Sequence, residues 1–457
     1  MVLSDVFARF LEESPATVMV AALMERIFAP QKLDAIFAGA ARVQYERELL
    51  FSTVVGLMSQ VVCGVQPSVR AAYLAQPQQV GVSLAALYEK LQGVEPAVNR
   101  ALVRQTAAEM AGLIRHLGAE CRPWLAGYRV KILDGNALAK TEHRLKETRT
   151  STAGPLPGKA LVVLEPELGL LSEVFCCEDG HAQERSLLPE VVETVERGDL
   201  WIADRNFSTA SFLFALEARG AGFVIRRHGK LACEEVGEAV FCGRVEGGEV
   251  YEQAVLVRGE GAPALALRQV VVRLETPTRD GETELRILTN LPPETAAACT
   301  VAELYRKRWR IEGAFHTLSQ ALETEINTLG YPPAALLAFC VGLVSFNLFA
   351  TLKAALRSVH GEDVVEEQVS TYYLTKEIAG TYQGMRIALP QREWRVFATL
   401  STAAMANLLG EWAGFLRLCR YPKSKRGPKK PPPPRTHDPK KPHVSTARLL
   451  ANRPRRA

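Results

Sequence analysis

Two short apolar runs, YRVKILD at 128–134 and DLWIAD at 199–204, each end on an aspartate, and this pairing constrains the fold more than any other feature of the chain. Short β-branched and apolar runs predict strands. A carboxylate at the C-terminal end of such a strand leaves the core and faces a cleft. Either aspartate alone is equally an ordinary turn former, so the order of elements between and after them matters. KALVVLE (159–165) and LGLLSEVFCC (168–177), separated by a few turn residues, predict a hairpin. SLLPEVVETVERG predicts a helix ending at Gly198. After the second aspartate, STASFLFALEARG predicts a helix with Ser208 as N-cap and Gly220 as C-cap, followed by the strand GFVIRR. From about 230 to 290, apolar and polar residues alternate between Gly-rich turns. That pattern predicts a small β subdomain set into the main fold, closed by ELRILTNL.

Helical patterns flank this region. Residues 1–125 place apolar residues at three- and four-residue intervals, broken at Pro30, Pro67, Pro77 and Pro96, and predict an all-helical N-terminal domain. At Thr300 a long helix is expected, opened by a capping box of Thr300 and Glu303. Tyr305, Arg308 and Glu312 stand at i, i+3 and i+7, so they share one face of it. That stripe is equally an ordinary polar face with an i,i+4 Arg–Glu pair. The density of cations around it (Arg306, Lys307, Arg308, Arg310) is what a neighbouring polyanion would require. Residues 334–344 form an unbroken apolar run, shorter than the roughly 20 residues of a membrane span and followed by Ser345 and Asn347. A buried core helix over 334–356 is expected, with no membrane association, and further helical segments occupy 361–420.

Charge is segregated along the chain. Residues 421–457 carry twelve Lys or Arg against one acid, Asp438, so this tail contributes +11 to a chain total of +5 and the rest sums to −6. A basic, Pro-rich tail on a mildly acidic body predicts a disordered segment and a polyanionic partner, nucleic acid being the simplest. The nine cysteines show no C-x-x-C spacing, which argues against a disulfide framework or a zinc site and for thiols in a reducing cytosol. The opening residues, acidic early and without a long apolar stretch, do not predict a signal peptide.

Strand with Asp, hairpin, helix, strand with Asp, then helices is the connectivity of ribonuclease H-like domains. Asp134 in I-L-D-G-N, Asp204 in I-A-D-R-N-F and Y-x2-R-x3-E at 305–312 together resemble the DDE transposases of the insertion-sequence-four family over roughly 125–330. The resemblance implies an α/β fold: an RNase H-like mixed sheet with flanking helices, a β-rich insertion and an all-helical N-terminal domain. It divides the chain into a helical N-terminal domain (1–125) that recognises DNA ends and a catalytic domain (126–360). A C-terminal helical region (361–420) would serve dimerisation, and a disordered basic tail (421–457) would follow. The signature Lys that follows in that family falls at Ser319 here, and the inserted β segment lacks a tryptophan.

The resemblance implies cut-and-paste transposition in the bacterial cytoplasm, at the nucleoid. Asp134, Asp204 and Glu312 would be both the catalytic residues and the ligands of a two-metal Mg²⁺ site, with Mn²⁺ as substitute, Asp134 bridging. Two hard ions roughly 4 Å apart activate a water, stabilise the leaving oxygen and neutralise phosphate charge, and such ions prefer carboxylate oxygens. On that preference His316 is a helix-face residue rather than a ligand. Arg308 and Tyr305 would contact the DNA, as would position 319. The partners implied are double-stranded DNA, as terminal inverted repeats and as target, and a second copy of the chain in the synaptic complex. Two other readings share the fold: an RNase H-like metal-dependent nuclease that stops at hydrolysis, and a decayed relative that only binds DNA.

Overall fold

A computed structural model of the chain describes residues 4–43, 48–259, 261–278, 280–423 and 442–452. Its centre is a nine-stranded mixed sheet. The strands are β1 (Arg129–Ala137), β3 (Lys159–Glu165), β4 (Leu170–Cys177), β5 (Asp199–Ala203), β6 (Gly222–Arg226), β7 (Cys233–Val245), β8 (Gly248–Gly259), β9 (Ala262–Leu274) and β10 (Glu284–Thr289), in the spatial order β4-β3-β1-β5-β6-β10-β9-β8-β7. β1, β5 and β6 run parallel at the centre, and antiparallel pairs extend the sheet on both sides. The mixed α/β class is the expected one and is consistent with an RNase H-like transposase fold.

Alternation along the central strands sends successive side chains to two separate cores. Val130 and Ile132 of β1, with Leu200 and Ile202 of β5, join the large core shared with the N- and C-terminal helices. Leu133, Trp201 and Ala203 join a smaller core on the other face, closed by the short helix Leu188–Val192 and the helix Ala210–Ala218. Every residue of β5 is buried, as a strand covered on both faces must be.

Several expectations need correction. The β insertion continues the main sheet: β10 pairs with β6, and β9, β8 and β7 follow in order, the 13-residue β9 having partners along both edges. The helix expected up to Gly198 is confined to Leu188–Val192, after a 3₁₀ turn. The next helix is capped by Thr209, which accepts from Phe212 N, rather than by Ser208; Gly220 follows its end at φ +67°, a conformation glycine takes without strain. The capping box at Thr300 does not form. That helix starts at Ala298, with Ala297 at its N-cap, since the Ala-rich approach continues the helix and buries Ala298, Val301 and Ala302. Nor is it one helix: Ala298–Arg306 passes through a 3₁₀ turn, Lys307–Trp309, into Arg310–Ala321.

The helical regions expected at the two ends of the chain pack into one core. Phe7, near the N-terminus, sits 5.1 Å from the ring of Trp394 and 6.1 Å from that of Trp412. Through the middle runs the helix Pro332–His360, long and apolar enough to cross a membrane but 89% buried over its most apolar stretch. Asn347, which interrupts that stretch, pins it to the sheet: its side-chain amide exchanges two 2.8 Å hydrogen bonds with the backbone of Leu171. The tail is only partly as expected. β11 (His443–Ser445) pairs in parallel with β2 (Gly154–Leu156), and the short helix Thr446–Ala451 follows, capped by Ser445 and tied by Arg448 to Asp179 at 2.8 Å. HVSTARLL is a strand and a capped turn of helix, masked in the composition by the Lys and Pro before it. The expected disorder of 424–441 and 453–457 lies outside the described residues.

Candidate active site

The parallel pairing of β1 with β5 ends at Leu133 opposite Ala203, so the next residue on each strand, Asp134 and Asp204, stands side by side with the other. Both have the parity of Ile132 and Ile202 and therefore face the larger helical core. Asp204 ends its strand as expected. Asp134 does not, because β1 continues to Ala137 against β3.

The elements between Ala298 and Ala321 lie over this face and bring three side chains to the aspartates. Tyr305 is 5% exposed and its hydroxyl points at Asp204 Oδ1 across 3.4 Å. Arg308 is 7% exposed; its Nη1 donates to Asp134 Oδ2 at 2.8 Å and its Nη2 to Glu312 Oε1 at 3.3 Å. Tyr305 and Arg308, the expected DNA contacts, are here turned inward onto the acids. The 3₁₀ turn aligns all three side chains although the helix is not continuous. Ser319 is exposed two turns beyond Glu312, its hydroxyl donating to His316 O at 3.1 Å, and His316 is itself exposed.

The electrostatics follow from crowding. Burial, opposed by Arg308 and by the Gly135 amide and reinforced by the charges of Asp204 and Glu312, pushes the Asp134 carboxyl up to about 6. Burial and then Asp204 push the Tyr305 hydroxyl up to about 12, so it stays protonated and able to donate. The Arg308 guanidinium gains from Tyr305 and the acids around it and rises despite its burial. Its Nε is buried without a hydrogen-bond partner, so the fork is not fully satisfied where it lies. Among the described residues, no three His, Cys, Asp or Glu side chains close directly around one ion position. A guanidinium holds two of the acids instead.

Sequence reading missed Glu184. Its carboxylate packs on Gly135, beside Asp134, so closely that a Cβ there would fall 2.3 Å from Oε1, and it accepts from Asn206 Nδ2. The I-L-D-G-N run carried the signal, since a glycine after a strand-borne acid marks a close approach.

In chemical terms the site is a set of hard oxygen donors on a rigid sheet and an adjoining helix, with Arg308 as their bonded counter-ion and Arg226, itself paired with Glu282, behind Asp204. Such donors fit divalent ions of the Mg²⁺ class. Residues 126–329, which contain all three acids together with Tyr305 and Arg308, match the family model of the transposase DDE domain. No curated protein matches the chain.

Proposed function

We propose that this protein is a DNA transposase that cleaves at the ends of a mobile element and joins the freed 3′ ends to target DNA, using Asp134, Asp204 and Glu312. The reading rests on one observation. Carboxylates from β1, from the end of β5 and from the helix Arg310–Ala321 converge around Tyr305 and Arg308, within the stretch that resembles a transposase DDE domain. The three acids would hold Mg²⁺, with Mn²⁺ as a substitute, and bound ions of this kind supply an activated water and neutralise charge on the phosphate.

The chain's own residues do the rest. Asp134 and Asp204 are held by strand register and need no rearrangement to act together. Tyr305 keeps its proton and orients Asp204. Arg308 compensates Asp134 and Glu312 until a phosphate arrives, then carries its planar fork to the phosphate, where two parallel N–H donors suit the oxygens better than a single carboxylate contact does. That exchange would expose the acids to metal only when DNA is present. Pairing two element ends calls for two copies of the chain, and the N-terminal helices are the surface available for reading end sequence.

The test uses purified full-length protein, Mg²⁺ and DNA carrying whatever inverted repeats sequencing of the flanks of its reading frame finds. Wild type is expected to nick at the repeat and transfer the 3′ end. Asp134→Asn should lose both steps and keep DNA binding. Cutting by the variant would refute the assignment, and cutting by wild type without joining would make the protein a nuclease.

A further inference from the structure

On the side of the helix Arg310–Ala321 away from Glu312 lies a groove of about 430 Å³, floored by the helix Pro332–His360. Its walls are unbalanced in charge. Arg310, Lys353, Arg357 and Lys423 line it against a single acid, Glu366. That acid is already engaged at both oxygens, by Lys353 at 2.9 Å and by Arg357 at 3.2 Å. Arg357 is further fixed by two bonds to the Ala119 carbonyl, and Lys423 donates to the Glu366 carbonyl at 2.8 Å. Arg310 has no ion-pair partner among the described residues and rests 5.7 Å from the Trp124 ring.

A concave site with three uncompensated positive charges focuses potential on an anion. The rest of the wall mixes apolar side chains, Phe346 and Phe349 among them, with the hydroxyls of Thr317, Ser370 and Thr371, which can donate to an anion. We propose that this groove binds a phosphate group, held by Arg310, Lys353 and Lys423, belonging either to a nucleic-acid strand or to a free phosphate species. Burial and the neighbouring cations hold the Lys353 ammonium below its usual range, a state that a bound anion relieves. Phosphate suits the donors present, one planar fork and two ammonium groups. The same helix carries Glu312 on its other side, so occupancy of the groove also steadies the helix that completes the candidate active site. The inference does not depend on metal chemistry at Asp134.

Full-length wild type, Arg310→Ala, Lys353→Met and, as a control on the exposed side of β8, Arg258→Gln are titrated with pyrophosphate at constant ionic strength, by calorimetry and by tryptophan fluorescence, which Trp124 beside Arg310 contributes. Saturable binding is expected in wild type and Arg258→Gln, weakened tenfold or more in the other two. Arg310 is exposed, so that variant remains informative if Lys353→Met fails to fold. No saturation beyond a chloride control, or an equal loss in Arg258→Gln, would overturn the proposal. A labelled single-stranded oligonucleotide then identifies the source. Displacement by pyrophosphate in wild type, with weaker binding in Arg310→Ala, points to a nucleic-acid strand. Binding of pyrophosphate without displacement points to a free phosphate species.

Discussion

The two sides of the helix Arg310–Ala321 are electrostatic opposites. Toward the sheet, three carboxylates gather around one guanidinium, Arg308; toward the C-terminal helices, four cations gather around one carboxylate, Glu366. Each side has fewer counter-ions than charges to balance; Arg226 also faces Asp204 on the sheet side, but it is already paired with Glu282. A fold that needed only stability would balance such charges or replace them with apolar side chains, since buried ions gain little over a packed core. On the two readings proposed above, each side would be completed from outside, one by cations and the other by an anion.

Four substitutions test this opposition of charge. The largest effect belongs to Asp134→Asn, for which Mg²⁺-dependent nicking should fall by about 10³-fold or more, roughly 4 kcal/mol of barrier. The metal-free variant should melt no lower than wild type, because it removes a carboxylate crowded by Asp204 and Glu312. A marked drop in its melting temperature would mean that Asp134 is structural. Arg308→Gln comes second: nicking should drop by about 100-fold, as on removal of one positioned donor at a developing charge. Calorimetry on the DNA-free variant should at the same time find tighter Mn²⁺ binding. Unchanged or weaker metal binding would show that Arg308 does not stand in for the ion.

The third is Glu366→Gln, which leaves Lys353 and Arg357 facing each other without compensation and should cost about 2–3 kcal/mol of stability. Pyrophosphate should recover part of that loss in thermal unfolding; if it recovers none, the groove has no affinity for anions. Ser319→Lys is the smallest. Position 319 is exposed on the Glu312 side, and one added phosphate contact should steepen the salt dependence of DNA binding by about one unit of slope. An unchanged slope would place the DNA path elsewhere.

The sheet side was more legible in the sequence than the groove side. Asp134 and Asp204 stood out because a strand announces itself locally, in runs of Ile, Leu and Val, and period-two alternation then fixes which way the next side chain points. Tyr305, Arg308 and Glu312 were readable from helical spacing, but their direction was not: inward onto the acids rather than outward depends on packing against residues more than a hundred positions away. The start at Ala298 and the break at Lys307–Trp309 were hidden because alanines propagate a helix past a plausible cap and tertiary contacts decide where it tightens. The groove joins residues from six separate stretches of chain. Only Lys353 and Arg357, four apart in an otherwise apolar helix, left a local trace.

β5 has one further consequence. Its five residues are buried, with Leu200 and Ile202 in one core and Trp201 and Ala203 in the other. Deleting one of them would invert the strand, thrusting Trp201 into space shaped for leucine and carrying Asp204 to the wrong side of the sheet. The carboxylates are thus aligned by oily neighbours that never touch a substrate, and errors of a single residue in that segment are rejected at the folding step, before chemistry can be tried.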